Sequence, residues 1–160
     1  MKSRVMLAVL CAAMAVTSFA QAPPAPAAHN MMTSAQVVWG PGPTALPPGS
    51  QLAVMTGDPG GTGPFTIRAK LPAGYRIPPH WHPTDENVTV LSGTVAMGMG
   101  EKFEAKALMV LPVGGFAAMA PNARHFFVAR TAATIQIHGT GPFAVTYVNP
   151  ADDPRMAPAK

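Results

Sequence analysis

From residue 36 onward the apolar positions fall into short runs separated by glycine and proline. The runs cover 36–39, 51–55, 65–70, 88–91, 94–99, 107–111, 116–119, 125–129, 134–138 and 143–148. Several alternate apolar with polar, the period of a strand with one buried face. In 134–138, Ile135 and Ile137 share one face while Gln136 and His138 share the other. The Gly-Pro and Pro-Pro pairs at 41–48 and 57–64 read as turns, and 149–160 reads as a polar, proline-rich strap along the surface. No stretch carries a sustained helical period. Strands and turns at this spacing predict an all-β sandwich or barrel in a single domain without internal repeats.

The first residues follow a different pattern. Lys2 and Arg4 precede an apolar core over 5–16, and Ser18-Phe19-Ala20 supplies small residues at the positions a signal peptidase reads. Residues 1–20 are therefore expected to be a signal peptide cleaved after Ala20, exporting the chain to the periplasm or beyond. The apolar core is shorter than the ~20 residues that span a bilayer, so no stable membrane anchor is expected. Residues 21–35 form a Pro/Ala-rich flexible linker, whose His29, Met31 and Met32 are taken as inert. The folded domain is placed at 36–155, with a short tail at 156–160.

Removing the leader changes two properties. Cys11, the chain's one cysteine, leaves with it, so the mature protein has no disulfide and no thiol chemistry. The formal charge falls from +4 to +2 with the loss of Lys2 and Arg4. Scattered weak positive charge, without a basic run or a stacking platform, argues against a nucleic-acid partner. The mature length of about 140 residues is ample for one core.

The candidate chemistry lies in Gly74-Tyr-Arg-Ile-Pro-Pro-His80-Trp-His82-Pro-Thr-Asp-Glu86, closed by Gly93. His-x-His on a strand puts two imidazoles on one side, and a carboxylate four residues later keeps that parity. His80, His82 and Glu86 thus read as three corners of a metal site. Trp81 points away from it, and Asp85 has the wrong parity.

The spacing Gly74-x5-His80-x-His82-x3-Glu86-x6-Gly93 resembles the first motif of the cupin family, with every position filled. The stretch from Gly114 to His125 resembles the second. Ala120 stands at its proline position, Asn122 at its inner glycine and Ala129 at its final asparagine. Asparagine is the best non-glycine residue where φ is positive, so Asn122 is expected to keep the turn. The segments 57–68 and 141–154 are similar to a small bacterial single-domain cupin type, extending the resemblance over 36–155. It implies a double-stranded β-helix, or jelly-roll barrel, and a homodimer. It also implies one divalent transition metal (Fe, Mn, Ni, Cu or Zn) on His80, His82, Glu86 and His125.

Around that set, Met97 and Met99 share a strand face and are candidates for the pocket lining. Arg76 has the parity to lie near the mouth, and His138 is a candidate general base. Three function classes follow. One is a metal-dependent enzyme on a small organic molecule, with a dioxygenase-like oxidoreductase favoured. The second is a redox-neutral isomerase, lyase or hydrolase using the ion as a Lewis acid. The third is a non-catalytic periplasmic module that binds a small molecule or a metal. Export argues against sugar-nucleotide chemistry, because activated sugars are not normally supplied outside the cytoplasm.

Overall fold

The computed structural model describes residues 29–156. The predicted leader, most of the linker and the last four residues lie outside that range. Eleven strands run in chain order: β1 (Gly40–Pro41), β2 (Gln51–Thr56), β3 (Pro64–Leu71), β4 (Arg76–Trp81), β5 (Glu86–Ser92), β6 (Val95–Met99), β7 (Met109–Leu111), β8 (Phe116–Met119), β9 (His125–Ala129), β10 (Ala133–Thr140) and β11 (Thr146–Tyr147). They form two antiparallel sheets, ordered β1-β2-β3-β10-β5-β8 and β11-β4-β9-β6-β7. The described part is an all-β jelly-roll barrel. Among the described residues no helix is long and apolar enough to cross a membrane.

The strand period decides what faces inward. Along β3, Phe65, Ile67, Ala69 and Leu71 are buried while Thr66, Arg68 and Lys70 alternate outward. β10 does the same with Ala133, Ile135 and Ile137, and on its outer face Arg68 Nε donates to Gln136 Oε1 at 3.1 Å. These residues meet Tyr75, Val88, Val90, Val95, Met97 and Phe127 in one cluster between the sheets. Burying such side chains contributes roughly 1.5–3 kcal/mol each. The barrel therefore has a hydrophobic core that does not draw on the histidine cluster.

Three predicted strands come out shorter or elsewhere: of 107–111 only Met109–Leu111 pairs, its start taken up by the 3₁₀ turn Ala105–Ala107. Residues 36–39 form no strand. Ser34–Gln36 is a 3₁₀ turn in which the Gln36 side chain reaches back to the Thr33 amide, and pairing with β2 is confined to Gly40 and Pro41. Of 143–148 only Thr146–Tyr147 pairs, with β4, while Phe143, Ala144 and Val145 turn toward the cavity. β4 itself has no alternating apolar pattern, because two of its six residues are prolines.

Candidate metal centre

His80 is the penultimate residue of β4, His82 follows one residue past that strand, and Glu86 opens β5. β4 and β5 belong to different sheets. Strand parity is thus not what brings Glu86 to the histidines. The chain crosses from one sheet to the other over Pro83-Thr84-Asp85, and that crossing turns the carboxylate inward. His125 opens β9 and stands directly opposite His80 in the β4–β9 pairing. Ahead of it, Asn122 adopts φ 63°, and its amide donates to the His82 carbonyl at 2.8 Å. The asparagine at the motif's inner glycine position therefore holds the left-handed turn and ties it to the other histidine segment.

The three imidazoles are buried, with one ligand atom from each within 4.8 Å of the others. Their Nδ1 atoms face main-chain carbonyls: His80 to Pro78 at 2.8 Å, His82 to Ala144 at 2.8 Å, His125 to Ala123 at 3.0 Å. A carbonyl only accepts, so in each ring Nδ1 carries the proton and donates it. A neutral ring in that tautomer leaves its Nε2 lone pair for the interior. Glu86 Oε2 lies 3.2 Å from His125 Nε2 and 3.6 Å from His82 Nε2. Yet Glu86 Oε2 and His82 Nε2 are buried without a hydrogen-bond partner. Buried polar atoms left this way cost about 1–3 kcal/mol each. A cation among them relieves that cost, and the donor set of three imidazoles and a carboxylate fits a divalent transition metal.

Burial holds the His80 ring well below the usual imidazole range, and the neighbouring His125 and His82 add to it. Burial lowers His82 as well, against the pull of Glu86. For His125 burial acts in the same sense, but Glu86 beside it and the Ala123 carbonyl outweigh it, so the ring is raised. Two rings are thus kept neutral by desolvation, while Glu86 draws a proton toward the third.

A cavity of about 330 Å³ opens onto His80, His82 and Glu86. Phe143 stacks on His82 with centroids 4.1 Å apart and planes at 19°. Pro43, Ala45 and Leu46 of one loop, together with Arg155, also line it.

The remaining candidates lie elsewhere. His138 is exposed on the outer face of β10, opposite to Ile135 and Ile137, which line the cavity. The role of general base is corrected accordingly: strand alternation turns this ring outward. Met97 is buried in the core, but Met99 at the end of β6 is 58% exposed, and neither lines the cavity. Arg76 is exposed on β4, its guanidinium 5.4 Å from the Phe103 ring in a separate surface depression, so it does not reach the mouth. Phe143 and Arg155 were not among the expected site residues. The Gly-Pro-Phe run at 141–143 was the available signal for the first.

No protein-family model matches the chain, and no curated protein matches it significantly. Solved structures do. A candidate acetylacetone dioxygenase from Methylibium petroleiphilum superposes with a TM-score of 0.62 at 22% identity, covering 82% of this chain and 88% of that one. An RmlC-like cupin from Shewanella frigidimarina superposes at 0.55 with 12% identity over 72% of this chain and 94% of its own. The fold is that of the cupins. The polyketide cyclase RemF from Streptomyces resistomycificus shares it, at a TM-score of 0.59 and 16% identity over 79% and 89% of the two chains. A candidate oxygenase and a cyclase on one cupin barrel show why chemistry has to be argued from the site.

Proposed function

We propose that this cupin holds one divalent transition metal through His80, His82, Glu86 and His125. On this reading it acts as an exported metal-dependent oxidoreductase of the dioxygenase kind on a small organic molecule. The observation that carries the reading is the set of three Nδ1-anchored imidazoles and a carboxylate buried around two unpartnered atoms. A bound divalent ion supplies Lewis acidity and open coordination positions for an oxygen chelate. The chain's own residues do the rest. Pro78, Ala123 and Ala144 fix the ring tautomers through their carbonyls, and Phe143 covers one face of His82. One structural neighbour is a candidate acetylacetone dioxygenase, so the fold accommodates the oxygenase class, as it accommodates the cyclase RemF.

The test is metal analysis of residues 21–160 purified without chelator or metal-binding tag. About one equivalent of metal per chain is expected. His82→Ala and His125→Ala should each abolish it while lowering the melting temperature only modestly, since the hydrophobic core is separate. Full occupancy in both variants would overturn the ligand assignment.

A further inference from the structure

We infer that the substrate is a small molecule with an apolar body and its oxygen atoms gathered at one end, as in a 1,3-dicarbonyl, and not a polyhydroxylated one. The inference deepens the proposed metal chemistry and rests on it for the polar end alone. Among the described residues that line the cavity, only His80, His82, Glu86 and Arg155 have polar side chains. Three of these sit together at the metal end. The wall is built by aliphatic side chains such as Leu52, Ile67, Ile135 and Ile137, with Phe143 beside the histidines.

The main chain of the lining loops offers little more. The Ala45 carbonyl already accepts from Tyr147 Oη at 2.9 Å, the Ala144 carbonyl from His82 Nδ1, and the Val145 carbonyl from Arg155 Nη2 at 3.1 Å. Arg155 is not a free cation either. Its Nε and Nη2 donate to the Asp153 carboxylate at 2.8 and 2.6 Å. A ligand with hydroxyls along its length would bury donors and acceptors without partners, whereas an apolar body exchanges water for hydrocarbon. The cavity, about 330 Å³, is of the size that takes a small molecule.

The test uses two oxygen chelators of similar size, benzoylacetone and gluconate. Their affinities are measured by calorimetry on the zinc-loaded protein, which is redox-silent, and again on the metal-free protein. Benzoylacetone should bind at least about tenfold more tightly in both forms, with a negative heat-capacity change from apolar burial. Leu52→Asn, remote from the metal end, should erode that preference about tenfold while zinc stays at one per chain. Equal or reversed preference in zinc-loaded protein would overturn the inference and leave the metal reading standing. Failure to take up zinc, with the preference kept in metal-free protein, would do the opposite. An unchanged preference in Leu52→Asn would also overturn the assignment of this cavity.

Discussion

At the scale of single residues, Asn122 decides how His125 is presented. It adopts φ 63°, a region that costs an ordinary L-residue roughly 1–2 kcal/mol. Its amide also fastens the turn to the His82 carbonyl. Asn122→Gly should therefore leave stability unchanged or slightly raised, and Asn122→Val should lower it by about 1–2 kcal/mol. Urea unfolding checks both, and a large loss in the glycine variant would overturn the turn assignment. The four ligand candidates were legible in the sequence for a related reason. A site built from a few residues at fixed spacing on rigid strands leaves its trace in the spacing itself. Phe143 and Arg155 left no such trace, because they reach the cavity from a loop and a strap whose path depends on what they pack against. His138 was misplaced because alternation gives two faces without saying which is inside.

At the scale of elements, the site depends on how closely β10 passes the turn between His82 and Glu86. A Cβ at Gly139 would collide with the Asp85 carbonyl, so glycine here is a condition for the crossing between sheets. From β10 the Thr140 amide also donates to the Asp85 carboxylate at 3.4 Å, and Asn87 Nδ2 of β5 donates to it at 3.1 Å. Gly139→Ala should push the 83–86 turn away and displace Glu86, weakening zinc binding by about tenfold or more while the barrel still folds. Competitive titration with a zinc indicator, alongside circular dichroism, separates the two. Unaltered affinity would mean that the turn yields without moving the carboxylate. The strands were foreseeable where one face is buried, as in β3 and β10. They were not foreseeable at 36–39, where side-chain capping draws Gln36 into a turn, or at 143–145, where apolar residues line a cavity instead of pairing.

At the scale of the whole molecule, the histidine cluster gives the metal-free protein an unusual dependence on pH. His80 and His82 are lowered on folding, so the unfolded chain takes up protons on them below about 6.5 while the folded chain does not. Stability from these two rings falls as pH drops from about 6.5 toward their folded values. His125 is raised, so its contribution is full below about 6.5 and is lost as pH climbs through its folded value. Metal-free protein should accordingly be most stable near pH 6.5, and His125→Gln should remove the decline on the alkaline side. Scanning calorimetry in chelator between about pH 5 and 8.5 measures this, and a steady rise across that range would contradict the assigned shifts.

The carbonyls behind the three Nδ1 atoms have one more consequence. They aim the rings before any ion arrives, so the ordering of the ligands is completed during folding and leaves the ion nothing to reorganise. A receptacle aimed in advance would discriminate among divalent cations by the fixed spacing of its donors and not by a closing motion. Which ion such a site would take then turns on donor type, on the fixed spacing of the rings and on the metals available where the chain folds.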